Sequence, residues 1–199
     1  MEHFQEAEHV TMLRDTLRRF VENEMPRAKA QEWDQENHYP REIFEKLSAL
    51  GVNGLTVPEE YGGAGRDITA TMVVIEELAR RSMAVAVPYI MCACYGAMNI
   101  EEVGSPEQKR ELLPKLANGE LLFAYGISEP DVGADVASVR TSAERKGNGA
   151  TVTINGSKRF CSGANIADYI YAVVKSDPDA ERYQNLSIVL IPPDAPGVT

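Results

Sequence analysis

The residues best suited to chemistry fall in two short stretches. Tyr125 to Asp135 read Y-G-I-S-E-P-D-V-G-A-D, a short apolar strand running into a polar loop that holds Pro130 and Gly133. Strand ends feeding such loops present backbone N–H groups on a rigid support, a setting suited to planar polar ligands. Asn155 to Gly163 read N-G-S-K-R-F-C-S-G and place an aromatic, Phe160, two residues before a hydroxyl, Ser162. Together the two stretches suggest a flavin site, with an aromatic against one ring face and hydroxyls and amides along the polar edge. Singly, each has a plainer reading. Tyr125 and Ile127 suit alternating strand positions, Ser128 and Ser162 suit turns in which a hydroxyl bonds its own backbone, and Phe160 suits core packing. Glu129, a carboxylate before a proline, reads as a turn residue and not as a base.

The elements that must position these residues come in two kinds. From Glu6 to about Gly119 the pattern is helical. Val10, Leu13, Leu17, Phe20 and Val21 form one apolar stripe. Pro40 opens a helix that buries Ile43, Leu47 and Leu50 and stops at Gly51. After a turn-rich connector, V-P-E-E-Y-G-G-A-G from Val57 to Gly65, a third helix is expected over about Ile68 to Arg81. Met83 to Val103 is apolar nearly all round and is expected to be the most buried helix. Ser105 and Gln108 have the spacing of a capping box, and Pro114 is expected to distort or shorten the helix that follows.

Beyond Gly119 the period becomes alternating. Strands are expected over Leu121–Ile127, Val139–Arg145, Ala150–Ile154, Ser157–Cys161, Tyr169–Val174 and Leu186–Ile191. Gly147-Asn148-Gly149 and Asn155-Gly156 read as hairpin turns between them, the second as type I′. Helices followed by a run of strands give an α+β reading or two domains.

Composition narrows the function. Apolar residues at 44% and charged residues at 25% suit a globular domain, and a net charge of −10 disfavours nucleic-acid and anionic-membrane binding. No apolar run is read here as reaching bilayer-spanning length, so no membrane insertion is expected. The start, Met1-Glu2-His3-Phe4, resembles neither a signal nor a transit peptide, and Cys92, Cys94 and Cys161 read as reduced, buried thiols. A cytoplasmic setting and no metal site are expected.

Taken in order, these motifs resemble the N-terminal half of the acyl-CoA dehydrogenase family. The resemblance runs from about Leu13 to Thr199 through the V-P-E-E-Y-G-G connector, the buried helix, G-S-P-E-Q-K, S-E-P-D-V-G-A-D and N-G-S-K-R-F-C-S-G. It implies an all-α domain over 1–119, then an antiparallel, barrel-like β-domain over 120–199, with a C-terminal helical domain outside the chain. It implies FAD as cofactor, an acyl-CoA or other acyl thioester as substrate, electron-transfer flavoprotein as electron acceptor, and a homodimer or homotetramer. The implied reaction is α,β-dehydrogenation: a carboxylate removes the α-proton while the β-hydrogen leaves as hydride to flavin N5.

Carried over by motif, Tyr125, Ile127 and Ser128 flank the flavin's pyrimidine edge. Phe160 packs on the ring face away from substrate, Cys161 follows it, and Ser162 stands near N5. Met91 and Tyr95 lie near the acyl tail, with ordinary core packing as the alternative. Ala134 occupies a substrate-contact position where many family members have serine, which leaves room for a thioester carrier other than CoA. Phe160 stands where many have tryptophan, keeping the stacking face but losing an N–H donor. The resemblance places the catalytic base beyond Thr199, so no catalytic residue is assigned, and the 199 residues alone are expected to bind FAD weakly without turnover. An acyl-CoA oxidase or enoyl-thioester reductase of the same fold, or a non-catalytic partner subunit, are the other readings.

Overall fold

The structure, a computed structural model, describes residues 6–147 and 151–199. The chain divides into two compact units, Met1–Leu122 and Phe123–Thr199. Each is built on its own core.

The first unit is helical, comprising α1 (Glu8–Glu24), α2 (Arg27–Gln35), α3 (Arg41–Ser48), α4 (Ile68–Ala79), α5 (Met83–Ile90), α6 (Met98–Val103) and α7 (Pro106–Ala117). The apolar stripe of α1 buries Val10, Leu17 and Val21, and α1 lies along α4. Leu17, Phe44, Leu47, Leu78, Tyr89 and Leu113 are among the fully buried side chains of its core. Helix α3 begins directly after Pro40, and Gly51 beyond its end adopts φ +76°, the left-handed conformation that closes helices at little steric cost. The capping box is present: the Gln108 N–H donates to Ser105 Oγ at 3.2 Å, and the Ser105 N–H donates to Gln108 Oε1 at 2.8 Å.

Four expectations for this unit need correction. Leu50, expected to face the core with Ile43 and Leu47, lies past the end of α3 and is 41% exposed. Helix α2 was not expected, because Ala30 and Trp33 alone form its buried face, too short a stripe to show a period. Pro114 does not shorten α7, which runs through it to Ala117. Met83–Val103 is long and apolar enough to cross a bilayer by length and composition, contrary to the estimate from sequence, and half of it is buried within the protein. It is buried on one side rather than all round, and it is not one regular helix. Between α5 and α6, Met91–Ala97 winds as a π-helix. The Thr56 hydroxyl donates to the Ala93 carbonyl there at 2.9 Å. Wide turns of this kind recur at functional sites.

The second unit contains one sheet of β1 (Phe123–Gly126), β2 (Ser142–Lys146), β3 (Thr151–Asn155), β4 (Tyr169–Lys175) and β5 (Leu186–Ile191). Its order is β1-β4-β2-β3, with β5 also on β4. The expected antiparallel barrel is replaced by an open, mixed sheet. Strands β2–β3 and β4–β5 pair antiparallel, but β1 runs parallel to β4, with Tyr125 opposite Tyr171. The physical reason is connectivity: β1 reaches β4 only after a long excursion, and such a crossover permits a parallel return where a tight hairpin does not. The Gly147-Asn148-Gly149 turn expected between β2 and β3 falls largely outside the described residues.

The sheet packs on both faces. Tyr125 stacks on Tyr171 with centroids 5.7 Å apart, and Phe123 meets Tyr169 edge-on at 5.9 Å. Val173 joins Val132 and Val139 in one buried cluster, with Ile127 packed against it. Ala143, Ala172 and Val174 form the other.

Candidate functional site

The loop leaving β1 is organised by Glu129. Its N–H donates to the Val132 carbonyl at 2.8 Å, and the Val132 N–H returns a bond at 3.2 Å, closing a tight turn over Pro130 and Asp131. Glu129 is thus the turn residue expected, and it also does something the sequence did not suggest. Its buried carboxylate accepts from the Arg140 N–H at 2.7 Å, the Thr141 N–H at 2.9 Å, the Thr141 hydroxyl at 2.6 Å and Lys158 Nζ at 2.9 Å. Burial alone raises a carboxyl pKa; the Thr141 hydroxyl, Lys158 and the two amides outweigh it and bring Glu129 down to about 2. Residues 139–141, expected as strand, are used for this purpose, so β2 starts only at Ser142.

The second stretch is not a strand. Asn155-Gly156 does not form the expected hairpin; a Cβ on Gly156 would lie 2.3 Å from Thr141 Oγ1 and 2.6 Å from Thr141 Cα, so the chain passes against Thr141 where only glycine fits. Lys158 then crosses to Glu129 and donates also to the Ile127 carbonyl at 3.2 Å. The Arg159 N–H donates to the Ser128 carbonyl at 2.8 Å. Phe160 turns left-handed at φ +59°, a conformation that costs an ordinary residue roughly 1–2 kcal/mol. Tight turns follow through Gly163, with the Ser162 N–H bonded to the Phe160 carbonyl at 2.9 Å. Hydrogen bonds to the β1 loop take the place of a sheet ladder.

The two predicted strips, Tyr125–Ser128 and Phe160–Ser162, are therefore brought together. Bonds from Lys158 and Arg159 join Ile127, Ser128 and Glu129 directly to the residues preceding Phe160. Phe160 is 76% exposed, so it does not serve the core, and the Arg159 guanidinium stands 4.7 Å from its ring centroid. Ser162 is exposed, whereas Ser128 and Cys161 are half-buried, and burial pushes the Cys161 thiol pKa up. Tyr125 is half-buried against Tyr171, and Ile127 is committed to the Val132–Val139–Val173 cluster. Strand β1 stands at one end of the sheet order, beside β4. An exposed aromatic ring in a segment bonded to the end of a strand, with the Ser128 and Ser162 hydroxyls in the same two stretches, fits the demands of a flat heteroaromatic ring with a polar edge.

The other predicted residues lie apart from these strips in the chain. Ala134 is exposed in the β1 loop beside Asp135, whose carboxylate accepts from Ser138 Oγ at 2.5 Å and pairs with Arg182. Met91 and Tyr95 belong to the helical unit, on the half-buried side of the π-helix that also carries Cys94. Among the described residues no group of His, Cys, Asp and Glu could hold a metal ion. An open cleft lined by Glu45, Ser48, Gly54, Gly63 and Asn118 contains none of the predicted site residues.

Lys158, Arg159 and Gly156 were missed as contributors. Glycine after Asn155 was a visible signal but fitted a hairpin equally well. The partnership of Glu129 with a lysine 29 positions later had no local signature.

Comparison with known proteins gives a consistent result. The family model described as acyl-CoA dehydrogenase, N-terminal domain, matches residues 7–120, and that of the acyl-CoA dehydrogenase middle domain matches residues 124–199. A glutaryl-CoA dehydrogenase of Desulfococcus multivorans is 36% identical over 98% of this chain and 50% of its own length. A solved glutaryl-coenzyme A dehydrogenase in complex with glutaryl-CoA superposes with a TM-score of 0.86 at 38% identity, covering 96% of this chain and 48% of that one. An acyl-CoA dehydrogenase from Bacillus anthracis complexed with FAD superposes with a TM-score of 0.85 at 27% identity, covering 100% and 33%. The chain thus spans about half the length of the curated relative it matches.

Proposed function

Since this chain belongs to the acyl-CoA dehydrogenase family, we propose that it is the flavin-holding part of an FAD-dependent acyl-CoA dehydrogenase. The protein oxidises the Cα–Cβ bond of an acyl thioester. The bound flavin supplies the hydride acceptor; everything else is orientation and electrostatics from the protein.

In this reading the exposed ring of Phe160 stacks on the isoalloxazine, and the segment Tyr125–Ser128 offers peptide groups and the Ser128 hydroxyl to its pyrimidine edge. Ser162 donates a hydrogen bond near N5, worth about 1 kcal/mol. Met91 and Tyr95 border the acyl tail, and the loop at Ala134 faces the thioester's carrier. None of these 199 residues is assigned the role of base. In this reading the base is a carboxylate that these 199 residues do not supply, and an electron-transfer flavoprotein takes the electrons from a homodimer or homotetramer.

One observation supports this reading above the rest. The Arg159 N–H bonded to the Ser128 carbonyl at 2.8 Å brings the two strips side by side, directly before an aromatic ring left open to solvent. The test is an absorbance titration of the chain with FAD, followed by dye reduction with a panel of acyl-CoAs. The 199 residues are expected to bind FAD weakly and to show no turnover; robust turnover by this chain alone would overturn the assignment of the base elsewhere.

A further inference from the structure

The pair Glu129–Lys158 lies between the two strips and belongs to neither. Both side chains are nearly enclosed, at 6% and 11% exposure, and their charged atoms are 2.9 Å apart. Each end is fastened to backbone. Glu129 holds the amides of Arg140 and Thr141, while Lys158 holds the carbonyl of Ile127. The next residue, Arg159, holds the carbonyl of Ser128, and Phe160 comes directly after it. The lysine stem runs past Gly126, where an added Cβ would meet Lys158 Cγ at an ordinary 3.6 Å and Ile170 Cγ2 more tightly at 3.0 Å.

A buried ion pair is a poor source of stability, since its desolvation offsets most of the attraction, and apolar replacements of similar volume often do as well. What it can supply is a fixed geometry. We propose that Glu129 and Lys158 are positioning residues that set the spacing between Tyr125–Ser128 and Phe160–Ser162, holding the flavin berth in its binding shape before the cofactor arrives. This rests on the flavin reading above. Pre-set geometry raises affinity by removing an ordering cost from the binding step. Neither residue exchanges a proton with substrate or flavin in this role.

The test compares the 199-residue chain with Lys158→Met, Lys158→Arg and the double variant Glu129→Leu/Lys158→Met. The double variant removes both charges together and so avoids leaving one buried and unpaired. Three quantities are read: amide hydrogen exchange at Arg159 in the apo protein, the FAD dissociation constant by quenching of flavin fluorescence, and the melting temperature. Lys158→Met is expected to speed exchange at Arg159 and to weaken FAD by about tenfold each, with Lys158→Arg recovering most of both. The double variant is expected to melt close to the parent yet still bind FAD about tenfold more weakly. Exchange and affinity within about twofold of the parent in a folded double variant would overturn the proposal. Should the parent take up no FAD while exchange at Arg159 rises as expected, the flavin reading falls and the clamp on Phe160's segment stands.

Discussion

Among the described residues two glutamates are buried, one in each unit, and their surroundings differ in kind. Glu77 in α4 collects side chains: Arg14 at 2.9 Å, Arg18 at 3.2 Å and Arg80 at 3.2 Å. Arg14 also holds Glu76 at 2.7 Å and Glu6 at 2.5 Å. Glu129 collects two backbone amides, the hydroxyl of one of those same residues and a single ammonium. A carboxylate bonded to flexible guanidinium groups has substitutes, because each arginine can turn to water or to another carboxylate. A carboxylate bonded to amides fixes the path of the chain itself. The first arrangement ties helices together, and the second gives a loop its shape.

Substitution is the severest way to test that difference. Glu129→Ala leaves Lys158 buried without its carboxylate, together with two unpaired amides, and is expected to destabilise the second unit by about 3–5 kcal/mol. Urea unfolding followed by circular dichroism measures it. Glu77→Ala is expected to lose less, about 1–2 kcal/mol, since its arginines retain solvent or other partners. Trp33, buried in the helical unit, reports that transition by fluorescence. Equal losses would erase the distinction.

Acid is the next probe. The Glu129 pKa is lowered from 4.5 in the unfolded chain to about 2 in the folded one. A depressed carboxyl stabilises the fold above its unfolded value, and that contribution disappears as pH falls through the folded one. Between about pH 4.5 and 2, stability worth on the order of 3 kcal/mol should be lost through this group. A melting-temperature series over that window should be steeper for the parent than for Glu129→Gln.

Smaller effects sharpen the picture. Gly156→Ala would drive a methyl into Thr141, one of the residues holding Glu129, and overpacking of this sort costs about 1–3 kcal/mol. Phe160→Ala is expected to leave unfolding nearly unchanged, because the ring is exposed, while raising the FAD dissociation constant about two- to tenfold. Ser105→Ala, removing a cap far from either glutamate in sequence, is expected to cost about 1 kcal/mol and to leave FAD binding alone.

What could be read from sequence divides along the range of the interactions. Helices α1, α3, α4 and α7 announced themselves through apolar spacing and through Ser105 with Gln108, all contacts within a few residues. The strands at Tyr169 and Leu186 were legible for the same reason. Strand direction was not, since alternation in Tyr125 and Tyr171 says which face each residue takes but not that the two strands run parallel. The segment Ser157–Cys161 was misread because its alternation resembles a strand, while its actual bonds go to Ser128 and Glu129, about 30 residues earlier. The apolar character of Met83–Val103 was plain, its bilayer-compatible length was underestimated, and its π-helix left no mark in the residue pattern. Of the candidate site, the two motif strips stood out in the sequence as a proposal, and the ion pair that joins them did not.

Where a flavin ring settles when FAD is added decides whether the two strips form its berth, and crystallography of the FAD-loaded protein measures this directly. The predicted result is an isoalloxazine stacked on Phe160 at about 3.5–4.0 Å with its pyrimidine edge against Tyr125–Ser128. A flavin lying elsewhere, with Phe160 still bare to solvent, would contradict it.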